Sequence, residues 1–312
     1  MTIHLSKRPL FPRLFLSREE RRLRAGWRLG GQFLLMVVFF LILGIPLGLL
    51  MLVFPGLPGE AILLASTLIS SLAITVSVYL ARRYLDRRSF GSLGLGWNPQ
   101  AAADLLYGVM VAGLMMGLIF LVEWAAGWLR VEGFAWQSES WPRVLVECAL
   151  IAFVFILVGW HEELLSRGYW LQNLGVGLNL GWGVSLSSAL FALAHAANPN
   201  VSWEALLGLF AAGLFLAYGY LRTQQLWLPI GLHIGWNFFE GTIFGFPVSG
   251  SFFYRLIRHS VSGPELITGG DFGPEAGLIV LPMMVLGAGL IYWFTRHRRE
   301  ARIASRDEQD YG

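Results

Sequence analysis

The chain has 312 residues, of which 55% are hydrophobic and only 14% charged, with a mean hydropathy of +0.59. Soluble domains carry about a quarter charged residues, so this composition excludes an ordinary water-soluble protein and points to an integral membrane one. The net charge of +3 is no nucleic-acid signal, because the basic residues, all arginine except Lys7, gather at the ends of hydrophobic runs, and the lone Cys148 excludes an internal disulfide or a thiolate metal cage.

Residues 1–28 carry eight basic groups before the first apolar run and lack the short apolar core and small-residue site of a cleavable signal peptide. They read as a basic N-terminal arm. Residues 17–28 are either a surface helix on an anionic leaflet or a solvated flank. Eight apolar runs follow, each near the ~20 residues that cross a bilayer core. They cover residues 29–54, 61–80, 105–128, 144–169, 180–197, 205–221, 226–244 and 276–294, and the first contains Pro46. Trp124, Trp128, Trp136, Trp141, Trp160 and Trp227 sit near run ends, where amphipathic rings suit the headgroup layer.

Arginine placement sets the expected orientation. The arm, the second connection (Arg82, Arg83, Arg87, Arg88) and the tail (Arg296, Arg298, Arg299, Arg302, Arg306) are basic, whereas residues 55–60 and 198–204 carry no basic group. The expected architecture is therefore an all-α polytopic bundle of about eight transmembrane helices with both termini cytoplasmic. It divides into the arm (1–28), a membrane domain (29–295) and a cytoplasmic tail (296–312). The long connection 245–275 reads as an outer loop, and function is expected to lie within the membrane helices.

Three polar clusters interrupt the apolar runs: His161-Glu162-Glu163-Leu164-Leu165-Ser166-Arg167, Phe191-x-x-x-His195 and His233-x-x-x-Asn237. Ionisable groups at membrane depth are costly and mark a functional site by default. If the fourth and fifth runs form a hairpin turning near residues 175–179, Glu162 and His195 lie equidistant from the turn and become neighbours. His233 and Asn237 lie roughly 10 and 16 Å into the seventh run at 1.5 Å per residue, a depth at which the clusters converge. Glu163 and Arg167 share a helix face as a charge pair, while Glu162 points about 100° away, toward a cavity. Glu123, Glu147 and Glu240 read as structural acids, the first two snorkelling to the interface and Glu240 at the outer mouth of the bundle. His161 stays outside the catalytic set.

In order and in every defined position, Glu162-Glu163-x-x-x-Arg167, Phe191-x-x-x-His195 and His233-x-x-x-Asn237 resemble the three motifs of the CPBP family, the CAAX prenyl proteases and bacteriocin-processing (Abi) intramembrane proteases. The resemblance covers about residues 144–244. It implies an all-helical fold with a cavity open to the cytosol, and hydrolysis of a peptide bond in a membrane-anchored, C-terminal CAAX-like substrate. By position, Glu162 and His195 would activate water, and His233 and Asn237 would stabilise the oxyanion. Glu163 and Arg167 would support them, and Phe191 would form cavity wall.

Two routes to the water stay open. The family is commonly called metalloprotease, and Glu162, His195 and His233 would form a His₂Glu zinc site, although H-E-x-x-H is absent. A metal-free glutamate mechanism is the other route. The expected partners are the bilayer and a membrane-anchored protein or peptide, with no nucleic acid, and the expected location is a prokaryotic cell membrane. A reading from another class, a transporter or scaffold that binds in the same cavity without hydrolysis, is disfavoured by the lack of an inverted repeat.

Overall fold

A computed structural model describes Phe15, Leu16 and residues 22–311, with side chains through residue 297. The chain is a bundle of apolar helices. Helix α1 is Ala25–Val53, with Pro46 inside it, and α2 is Gly59–Leu80, extended by a wide π-helical turn, Ala81–Leu85. Helix α3 (Pro99–Ala125) precedes strand β1 (Leu129–Phe134), and α4 (Trp141–Glu163) continues through a π-helical segment, Leu164–Trp170, into α5 (Leu171–Gly177). Then come α6 (Leu180–Ala194), α7 (Trp203–Thr223), α8 (Trp227–Asn237) with its π-helical extension Phe238–Phe244, strand β2 (Ile257–Val261) and α9 (Val280–Tyr311).

Among the described residues, five helical stretches are long and apolar enough to cross a membrane: Ala25–Val53, Gly59–Leu85, Pro99–Ala125, Trp141–Gly177 and Trp203–Thr223. Helix α6 is apolar but shorter. It stops at Ala194, three residues before the expected end, so His195 is the cap of the helix rather than part of its last turn. Side-chain caps start three helices where the sequence places short polar residues. Asn98, Asn179 and Ser202 accept from the backbone N–H of Ala101, Trp182 and Ala205 at 2.9, 3.0 and 3.2 Å. Asn179 thereby sets the hairpin turn expected between the fourth and fifth runs.

The outer surface is apolar, and charged groups lie inside among an apolar core. Leu34, Leu52, Leu145, Val146 and Val285 are exposed, whereas Asp86, Asp104, Glu123, Glu163, Arg167 and Glu240 are buried. Such a surface suits lipid and not water. Two expectations about charge change here. Arg28 and Arg82 are not solvated flank residues, because both are buried against Asp86, at 3.1 and 2.7 Å. Nor does Glu123 snorkel: packing encloses it completely, as it does Glu240. Glu147 is half-buried, 3.9 Å from Arg143. Of the expected surface helix over residues 17–28, residues 17–21 lie outside the described residues, and the helix begins only at Ala25.

Helices α3 and α8 meet backbone to backbone. Gly108 and Ala112 on α3 face Gly231 and Gly235 on α8, both pairs at four-residue spacing, the small-x-x-x-small pattern that lets membrane helices approach closely. A Cβ at Gly231 would run into the Leu105 carbonyl. We expect Gly231→Ala to cost about 1–3 kcal/mol through overpacking, and Gly44→Ala, where space is open, to be neutral. Thermal unfolding in detergent checks this, and equal melting of the two variants would refute the backbone contact.

Strands β1 and β2 form an antiparallel ribbon, Leu129 opposite Val261 and Phe134 opposite Ile257, with an irregularity between Val131 and Gly133. This ribbon was not expected, because its strands are 5 and 6 residues long and far apart in the chain. On it, His259 packs between Phe120 and Phe246, with ring centroids 6.1 and 4.7 Å away. Burial among these rings, with Arg255 nearby, pushes its pKa down to about 4. The unfolded chain binds this proton near pH ~6.5, so stability is complete above that value and falls as the pH drops toward 4. Amide exchange in the ribbon is expected to speed up across that window, and less so in His259→Phe.

Candidate active site

The three polar clusters converge. Glu162 and Glu163 end α4, His195 caps α6, and His233 and Asn237 lie one turn apart on α8. Glu162 Oε2 is 3.8 Å from His195 Nε2 and 3.9 Å from His233 Nε2. The hairpin argument therefore picks the right neighbours. Helical geometry also separates the two acids as expected. Glu163 is fully buried and accepts from Arg167 Nη1 at 2.7 Å, whereas Glu162 faces a cavity of about 360 Å³.

Glu163 does more than pair with Arg167. Its Oε1 also accepts from His233 Nδ1 at 2.9 Å, so one carboxylate oxygen anchors a guanidinium and an imidazole together. Arg167 is held further by the Gly213 carbonyl at 3.0 Å and lies over the Phe191 ring, 4.4 Å from its centroid. Phe191 also packs against both His195 and His233, with ring centroids 5.0 and 6.0 Å away. It is wall and wedge, as the sequence suggests. The π-helical segments begin directly after Glu163 and Asn237, and such wide turns are frequent at functional sites.

Each imidazole is fixed through Nδ1. His195 Nδ1–H donates to the Phe191 carbonyl at 2.9 Å, which leaves Nε2 with its lone pair when the ring is neutral. Because a carbonyl cannot donate, this tautomer follows from geometry. His233 presents Nε2 to the same point, with Nδ1–H on Glu163. His161 lines the cavity too, its Nδ1–H bound to the Leu157 carbonyl at 2.7 Å.

Do these residues fit zinc? The donor types do, and Nδ1 anchors of this kind accompany metal-bound histidines. The spacing does not. Bonds of about 2.0–2.1 Å in a tetrahedron put ligand atoms about 3.3 Å apart, and both carboxylate–imidazole distances are longer, at 3.8 and 3.9 Å. Among the described residues, no three His, Cys, Asp or Glu side chains stand at metal-holding geometry.

The sequence reading missed the contribution of the connection 245–279. Part of it folds back into the bundle: Ser249, Ser251, Phe253 and Glu275 line the cavity beside Glu162, His195, His233 and Asn237. Asn198 Nδ2 donates to the Ser249 carbonyl at 3.0 Å and ties the connection to the end of α6. Ser249 and Gly250 both adopt left-handed backbone, and a Cβ at Gly250 would strike the Pro199 carbonyl. The turn Ser249-Gly250 was the available signal. Burial raises the Glu275 carboxyl above its ordinary pKa, while hydrogen bonds from Ser249 oppose that rise.

Residues 144–239 match the family model described as type II CAAX prenyl endopeptidase Rce1-like. This segment is a domain of the CPBP/CAAX protease family. No curated protein and no solved structure matches the chain. The Rce1-like segment contains Glu162, Glu163, Arg167, Phe191, His195, His233 and Asn237, while Glu240 and Glu275 lie beyond it. The match to this CAAX protease family indicates a peptidase segment, carried here in a bundle of membrane-length apolar helices.

Proposed function

We propose that the protein is an intramembrane endopeptidase that cleaves a membrane-anchored, CAAX-like protein tail with a water activated by Glu162 and His195. The observation that carries this is the approach of two imidazole Nε2 atoms to one carboxylate oxygen, at 3.8 and 3.9 Å, inside an apolar-walled cavity. Phe40, Ile74, Phe155, Trp170 and Phe215 supply walls suited to an apolar anchor, and the polar cluster meets the peptide.

A water between Glu162 Oε2 and His195 Nε2 donates one O–H to each. As its oxygen attacks the scissile carbonyl, Glu162 takes the proton and later delivers it to the leaving amine when the C–N bond breaks. The oxyanion forms toward His233 Nε2 and the Asn237 amide. For His233 to donate there while Nδ1–H remains on Glu163, the ring must be an imidazolium. Glu163 is its counter-charge. The four charges then balance: Arg167 and His233 positive, Glu162 and Glu163 negative. No step in this scheme passes through a metal.

Asn237→Ala removes one oxyanion donor, and we expect kcat to fall by about 10²–10³ with little change in KM. The assay is cleavage of a lipid-anchored fluorogenic peptide by the purified protein in vesicles. Zinc content of the same preparation, compared with His195→Ala, tests the metal-free route: stoichiometric zinc lost in that variant would overturn it. Solute uptake into the vesicles without cleavage would favour a transporter instead.

A further inference from the structure

Once the charges of the hydrolytic centre are paired, one cavity carboxylate remains that forms no salt bridge among the described residues. Glu275 is only 6% exposed, and its Oε2 accepts from the backbone N–H and hydroxyl of Ser249 at 2.8 and 2.7 Å. Both partners are neutral. Oε1 makes no hydrogen bond with the described residues, yet it is not enclosed, and Glu275 lines the same cavity as Glu162, His195, His233 and Asn237. One oxygen is thus fixed by Ser249 and the other makes no hydrogen bond with the described residues, on a side chain that lines the space in which a peptide would lie.

His195 and His233 lie near enough to act on Glu275 electrostatically, but neither pairs with it directly. His233 is committed to Glu163, His195 to the Phe191 carbonyl, and the enclosed Glu240 adds a second carboxyl close to Glu275. A desolvated carboxylate pairs best with a donor that carries positive charge. We propose that Glu275 is a cation subsite of the cleavage cavity, taking the ammonium or guanidinium of a basic side chain beside the scissile bond. The subsite rests on the peptidase reading of this cavity and adds a substrate class to it.

The test uses lipid-anchored peptides that differ only in lysine against its uncharged isostere norleucine, at each position around the cut. Wild type is expected to prefer lysine at one position by roughly 10- to 100-fold in kcat/KM, the range of a charge-assisted hydrogen bond. In Glu275→Gln that ratio is expected to fall to about one. Glutamine keeps an amide oxygen for Ser249, so the turn stays anchored while the charge is lost. A wild type indifferent to lysine at every position, or a Glu275→Gln variant that keeps the preference, overturns the subsite. Binding of the same peptides to Glu162→Gln separates this idea from the hydrolytic one. Should wild type cleave nothing, tighter lysine-peptide binding to Glu162→Gln, lost in Glu162→Gln/Glu275→Gln, leaves the subsite standing and hydrolysis refuted. Equal binding of the two peptides overturns the subsite.

Discussion

Glu162→Gln is expected to lower cleavage by about 10²–10⁴-fold, the contribution of a positioned general base, while the protein folds and extracts from the membrane as wild type does. The separation of activity from stability follows from where the group sits. The Glu162 side chain is 24% exposed, and its Oε2, itself buried, accepts no hydrogen bond from the described residues. Replacing it by an isosteric amide leaves no buried cation stranded, because Arg167 is satisfied by Glu163 and Gly213. What disappears is the acceptor for the water proton. Cleavage and thermal unfolding measured on the same preparation check both halves. A Glu162→Gln variant that cuts at the wild-type rate would remove Glu162 from the chemistry and with it the proposed mechanism.

Glu163→Gln is expected to do the opposite, with stability failing first. Glu163 is fully buried and Arg167 is 1% exposed. Removing one partner of such a pair leaves an uncompensated buried charge, at a cost of about 3–5 kcal/mol. The substitution also takes the counter-charge from His233, so any folded fraction loses its oxyanion donor. The double variant Glu163→Gln/Arg167→Met should be more stable than Glu163→Gln alone, since it strands no guanidinium, yet it should remain inactive. Unfolding curves of the single and double variants measure the coupling. If Glu163→Gln melts with wild type, the pair is not the structural strut its geometry implies.

Together these variants assign different work to adjacent, chemically identical residues. The basis is local: successive helical positions point about 100° apart, so one acid turns to the cavity and the other into the bundle. That division was legible in the sequence, as was the pairing of Glu162 with His195, because an antiparallel hairpin fixes which residues sit level. The fan of contacts around Glu163 was only half legible. Spacing supplies Arg167 on the same face, but nothing along the chain says that His233, 70 residues later, directs Nδ1 to the same oxygen.

The sequence by itself determined the membrane-bundle class, the helical content of the signature region and the three clusters that meet, because hydropathy and helical periodicity are properties of single segments. Tertiary structure alone decided the rest. It bent the connection 245–279 back into the cavity and brought Glu275 to it, and it buried Arg28 and Arg82 against Asp86. It also paired two short, distant strands. These features depend on which segments pack together, and in a chain whose lipid-facing and core-facing surfaces are equally apolar, composition carries no record of that choice.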